Sequence, residues 1–300
     1  MNFATNPVLA RELRVRVRSW RAVGALLLYL LLVGLVAWVA YESQRSNTVN
    51  RFDGGTVTAT ETAGIGQSVF EWTILLLLLL VHFSVPGVVS GAIAGERERQ
   101  TLVPLQVTLL RPISIVLGKI SAAVAFILLL IVATMPILAI GYLIGGVSKA
   151  DVVRALAGVI GTTLVLACVS AWCSAVTRRV QVATVMAYGV MILMTLGSFA
   201  LYGAAAVLDE RDNRFDRTDP PAALLYAAPV VAVADLIADE PDGNINSPFE
   251  GLAATSERDG DILDTGIPYW LESTLVLAGI SILAVWRASR HVTTPAETER

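Results

Sequence analysis

The sequence predicts an all-α, polytopic membrane protein with six transmembrane helices, and three observations carry that reading. Only 16% of its 300 residues are charged against 55% hydrophobic, where a soluble domain carries about 25% charged residues and can cover a globule with them. Apolar runs recur at the length of about 20 residues that a helix needs to cross roughly 30 Å of hydrocarbon. Lysine and arginine collect in alternate connecting segments, as retention of positive charge on the cytoplasmic side demands. A net charge of −3 and the lack of a basic stripe interleaved with aromatics exclude nucleic acid as a partner.

Residues 1–21 read as a surface helix. Asn6 stands as N-cap before Pro7 at the first helical position, the order expected of a helix start. At 100° per residue, Leu9, Leu13, Val17 and Trp20 share one face and Arg11, Arg14, Arg18 and Arg21 the opposite one. Such a helix lies in the headgroup layer with its arginines toward anionic lipid. Two roles stay open: a topology determinant alone, or one that also touches a cytoplasmic partner.

Five apolar runs follow, at 22–41, 72–94, 120–146, 155–177 and 180–208, and a sixth at 267–286 carries a single acid, Glu272. The first is too long for the hydrophobic region of a secretory signal, about 7–15 residues, and reads as an anchor that stays. With six spans, residues 1–21, 95–119, 178–179 and 287–300 hold 14 of the 22 basic residues and the intervening segments eight. Both termini and the 95–119 segment are therefore expected in the cytoplasm, in a plasma (inner) membrane protein. Residues 222–238 are apolar enough to threaten this count. At 17 residues, with Pro229 and Asp235 inside them, they read as a re-entrant or interfacial element of an external segment, 209–268, that carries 14 acids against four arginines.

Chemistry is sparse. Cys168 and Cys173 lie five apart in one apolar run, on different helix faces, so core packing is expected rather than a disulfide, redox or metal site. No phosphate-binding loop, zinc-protease motif, hydrolase elbow or intramembrane carboxylate pair is present, so no catalytic or metal residue is assigned. The third to fifth spans contain no charged residue, which argues against an ion-coupled carrier. His82 is expected to be a neutral imidazole bonded to a neighbouring span, and Glu71 and Glu272 to sit at outer ends within reach of water. Span hydroxyls such as Thr162, Thr163, Ser170, Ser174, Thr195, Ser198, Ser273, Thr274 and Ser281 leave a weakly polar path suited to an amphiphilic or lipid-like substrate.

One polar interruption stands out, "AGERERQTLVPLQVTLLRPISIVLGK" between the second and third spans. It resembles the cytoplasmic segment of the type-2 permeases of ATP-binding-cassette (ABC) exporters, with Glu96, Arg97, Glu98, Arg99, Thr101, Leu102, Thr108, Arg111, Pro112, Gly118 and Lys119 in order and spacing. Gln100 stands where that family usually has glycine, and Val103-Pro104 replaces an acid-apolar pair. The six-span layout and N-terminal surface helix are similar to the same family. The resemblance implies a cytoplasmic coupling helix within 95–119 that an ABC ATPase subunit grips, with Glu96, Arg97, Glu98, Arg99, Thr101, Leu102 and Arg111 as docking residues. It also implies a second permease copy or homologue, joined along the second and fifth spans. ATP and Mg would then be bound by the ATPase, leaving this chain with no cofactor of its own. The function so implied is an ATP-driven exporter or flippase permease; the rivals are a stand-alone channel or secondary carrier and a non-transporting membrane scaffold.

Overall fold

The computed structural model describes residues 20–51, 59–100, 112–212, 222–237, 248–249, 252 and 268–293, which are helical with short connections and contain no strand. The helices are α1 (Trp20–Arg51), α2 (Ala59–Val89), α3 (Gly91–Glu98), α4 (Pro112–Ile144), α5 (Lys149–Val176), α6 (Val180–Ile192), α7 (Ser198–Asp212), α8 (Pro229–Ile237) and α9 (Tyr269–Thr293). A π-helical turn, Leu193–Gly197, joins α6 to α7, and a 3₁₀ turn, Ala222–Leu225, precedes α8. Six helical stretches among the described residues are long and apolar enough to cross a membrane: α1, α2 with α3, α4, α5, α6 with α7, and α9. Several helices outrun the apolar windows that announced them. Hydropathy marks only the hydrocarbon-crossing part, whereas the backbone ladder continues into the polar boundary, as α1 does through Glu42, Arg45 and Arg51.

Local chemistry sets the helix ends. α4 opens on Pro112, whose missing N–H costs nothing at a first helical position. At the start of α5, Ser148 Oγ accepts from the Asp151 amide (3.2 Å) while Asp151 Oδ2 accepts from the Ser148 amide (2.8 Å), a reciprocal pair that satisfies two donors at the helix end. The turn between α4 and α5 needs Gly146, at φ +81°, where a Cβ would also collide with the Ala63 carbonyl of α2. Gly66 performs a related task on α2, since a Cβ there would strike the Gly145 carbonyl oxygen. Two glycines thus let α2 and the end of α4 cross backbone to backbone.

α5 is the central column and packs on α2, α3, α4, α6, α8 and α9. Small side chains, Ala155, Ala167, Ala171, Cys173, Ser174 and Ala175, fill its buried positions, which allows close approach without help from a hydrophobic drive between helices in lipid. The principal core joins α2, α4 and α5 through Ile74, Leu77, Leu78, Ile127, Leu138 and Leu166. α6 and α7 sit at the edge with Val185, Leu193, Leu196 and Leu201 exposed. α8 packs on α5 and α9 and is only nine residues long, so residues 222–237 form a short packed element and not a seventh span.

Two expectations need correction. Glu71 and Glu272 are buried, at 5% and 8% exposure. Glu71 lies beside the α2–α4 crossing and accepts from Gln67 Nε2 (3.0 Å), while the 222–237 segment folds over Glu272, whose carboxylate accepts from the Tyr226 hydroxyl. The His82 ring bonds within its own helix: Nδ1 lies 2.8 Å from the Leu78 carbonyl, and since a carbonyl only accepts, Nδ1 carries the proton.

Candidate functional site

The residues that bear the most chemistry gather where α3 meets the turn between α5 and α6. Pro86 sits inside α2 and has no N–H to give the helix ladder; the α-helix stops at Val89 and restarts as α3 at Gly91. At the restart the amides of Ile93 and Ala94 both donate to Ser174 Oγ of α5, at 3.0 and 2.9 Å. A side chain about 80 residues away thus serves two donors that the interrupted helix exposes. The Thr184 hydroxyl donates to the Val180 carbonyl (2.9 Å), so in the 2.8 Å contact between Ser90 Oγ and Thr184 Oγ1 the serine is donor. α3 also lays Gly91 and Gly95 against the Val180 side chain.

The alternating charges complete the joint. Arg97 Nη1 donates to the carbonyls of Ala175 (3.0 Å) and Thr177 (3.1 Å) at the C-terminal end of α5. The adjacent Glu98 Oε2 accepts from the Val180 amide (3.2 Å), the first residue of α6. A helix C-terminus carries partial negative charge and an N-terminus partial positive charge, so neighbouring residues of opposite sign each meet the pole they suit. The turn between those poles is only Thr177, Arg178 and Arg179, and Thr177 closes back on the Cys173 carbonyl through amide and hydroxyl. Arg97 and Glu98 together tie α3 to both helices.

Gln100 terminates this segment at φ +58°, the left-handed region that suits glycine and strains other residues. Its amide donates to the Arg97 carbonyl (3.1 Å) and that of Arg99 to Gly95 (3.1 Å). The departure from glycine visible in the sequence therefore falls at the position where glycine fits the backbone.

Of the expected docking residues, Glu96 and Arg97 are half-buried while Glu98 and Arg99 are exposed. Thr101, Leu102 and Arg111 lie outside the described residues, as do Arg11, Arg14 and Arg18 of the expected surface helix; Trp20 and Arg21 fall in the first turn of α1. Sequence reasoning missed Ser174 and the exposed pair Arg178 and Arg179, which flank the Glu98 contact. The one available signal was that these arginines are the sole residues between two spans. The span hydroxyls are mostly consumed locally: Thr163, Thr195, Ser198, Thr274 and Ser281 each donate to the carbonyl four residues earlier in the chain. Both cysteines are free.

Residues 7–286 match the family described as ABC-2 family transporter protein. Because that match spans nearly the whole sequence, the chain belongs to this family, and with its six apolar helices it is a multi-pass membrane permease of an ABC transporter. A comparison with curated proteins returns no match.

Proposed function

From that membership we propose that the chain is the permease subunit of an ATP-driven exporter or flippase in the plasma membrane, with both termini cytoplasmic. A separate ABC ATPase subunit binds ATP and Mg and docks on the 95–119 segment. A second permease copy or homologue completes the pathway along the spans formed by α2 and by α6 with α7. Exposed apolar residues on both spans, Val185, Leu193, Leu196 and Leu201 of α6 and its continuation and Leu79 and Phe83 of α2, support that seam. The substrate class is apolar or amphiphilic, a reading supported by the scarcity of free hydroxyls in the spans.

The observation that carries this reading is the joint itself. Arg97 and Glu98 fasten the docking segment to the end of α5 and the start of α6, so a displacement of the segment is delivered to two spans at once. The ATPase then meets Arg99 with the flanking Arg178 and Arg179, all exposed; Glu96, Thr101, Leu102 and Arg111 are proposed as further docking residues from the family resemblance. A cysteine at Arg99 is expected to react with impermeant maleimide only after cells are broken. Glu96→Lys combined with Arg99→Glu is expected to abolish co-purification with the ATPase while the chain still inserts. Labelling in intact cells, or unchanged co-purification, overturns the assignment.

A further inference from the structure

At the end of the bundle away from the joint, α5, α8 and α9 enclose an apolar cleft of about 470 Å³. Its floor includes Gly161 of α5, where a Cβ would meet nothing within 4 Å. Its lips are Leu164 and Ile282, exposed at 45% and 71%, which belong to spanning helices and so open the cleft sideways to hydrocarbon. Trp270 lines the outer end, next to the start of α9, and tryptophan favours the boundary between hydrocarbon and headgroups.

The dimensions select the occupant. From Trp270 to Ile282 a helix advances about 18 Å, comparable to one leaflet of a hydrocarbon core about 30 Å thick. Even the whole empty space of the cleft, about 1060 Å³ with its open mouth included, falls short of the roughly 1400–2000 Å³ that an 18 Å segment of a helix 10–12 Å wide occupies. A transmembrane helix of a second copy is too wide to enter, whereas a single polymethylene chain fits. None of the lining residues is charged, and the Thr274 and Ser281 hydroxyls are turned to carbonyls of their own helix, Trp270 at 2.5 Å and Leu277 at 2.8 Å. A free fatty acid would bring a carboxylate to a cleft whose described lining residues include no cation. A phospholipid leaves its headgroup in the interface and inserts only the tail.

We infer that this cleft is a lateral binding site for one acyl chain of a membrane phospholipid, taken from the leaflet at the Trp270 end. That leaflet is the external one in the orientation proposed above; the site itself does not depend on the orientation, the ATPase or transport.

The test uses the full chain in phosphatidylcholine nanodiscs doped with phosphatidylcholine carrying a diazirine in its acyl chain, with adducts mapped by peptide mass spectrometry. Adducts are expected on Leu164 and Ile282, falling about tenfold relative to the wild type, the equivalent of about 1.4 kcal/mol, in Gly161→Phe, which fills the floor. Ala278 of α9 also lines the cleft and is exposed, so Ala278→Phe is expected to do the same without altering α5, and a folding defect in one variant does not decide the matter. Adducts on Leu31, an exposed residue of α1, whose main packing is on α2 and α4 rather than on the helices that form the cleft, are expected to stay constant. Equal labelling of cleft and Leu31 that neither variant changes overturns the inference in favour of mobile boundary lipid. Labelling by a diazirine fatty acid but not by the phospholipid overturns it as well. An inverted chain or a failed ATPase interaction would leave the adducts in place, which separates this result from the fate of the proposed function.

Discussion

Replacing Arg97 by alanine removes two hydrogen bonds from one cationic donor to the carbonyls of Ala175 and Thr177. Hydrogen bonds to charged groups are worth about 1.5–3 kcal/mol each when buried, and Arg97 is only half-buried, so solvent screens part of that. We expect Arg97→Ala to cost about 2–3 kcal/mol. Glu98 is exposed and meets one amide at the start of α6; an exposed charge at a helix pole contributes about 0.3–1 kcal/mol, so Glu98→Gln is expected to cost less than about 1 kcal/mol. Arg97→Lys separates charge from geometry: an ammonium keeps the charge but lacks the planar guanidinium that spans both carbonyls, and an intermediate loss is expected. Because the two caps act on helices joined by a three-residue turn, the double variant is expected to be non-additive by about 0.5 kcal/mol or more. Reversible unfolding of the purified chain in mixed micelles, titrated with sodium dodecyl sulfate, measures all four. An Arg97→Ala loss no larger than that of Glu98→Gln, or full rescue by lysine, would refute the claim that the guanidinium closes α5.

Ser174→Ala takes away the shared acceptor of two buried amides, each costing about 1–3 kcal/mol when left unmet, so a loss of about 2–4 kcal/mol is expected in the same titration; a loss below about 1 kcal/mol would mean that the break after Val89 closes by itself. Gln100→Gly relieves a left-handed backbone that costs a side-chain-bearing residue about 1–2 kcal/mol, partly offset by the greater freedom of glycine in the unfolded chain. A gain of up to about 1 kcal/mol is expected, read as a higher denaturant midpoint, and a decrease would contradict the strain.

The spanning helices were legible because lipid imposes one rule on every span: roughly 20 apolar residues with an internally satisfied backbone. The joint was legible only in part. Alternating charge at 96–99 marked the place, but the partners of Arg97 and Glu98 are backbone atoms 78 to 82 residues away, and a carbonyl or amide leaves no trace in residue identity. The same limit hid the role of Ser174, which reads as one more hydroxyl in an apolar run. The burial of Glu272 depends on how residues 222–237 fold back over α9, a long-range event that the acid's own neighbourhood does not encode. Gln100 is the opposite case, since its departure from glycine was visible in the sequence and the backbone supplied the cause.

The placement of helix irregularities bears on how a displacement at the joint is distributed. α2 contains Pro86, α4 contains Pro136, and a π-helical turn separates α6 from α7; prolines and π-turns are where helices bend. Thr195 in that turn and Ser198 just after it draw on the Met191 and Met194 carbonyls, and such back-bonding favours bending further. α5 contains neither a proline nor a π-turn over its 28 residues, its back-bonding being confined to Thr163 and the C-cap Thr177, and it is capped at one end by Ser148 and Asp151, at the other by Arg97. Of the three spans that meet at the joint, α2 with α3, α5, and α6 with α7, it is therefore the straight one. The same helix supplies the joint at Ala175 and the cleft wall at Gly161, 14 residues or about 21 Å apart along its axis. An axial shift of α5 imposed through Arg97 is expected to reach the cleft, whereas a shift imposed on α6 through Glu98 is expected to be taken up in part at Leu193–Gly197. The two neighbouring charges thus address one rigid and one compliant span, and rocking of α5 against α9 is the motion that this asymmetry favours.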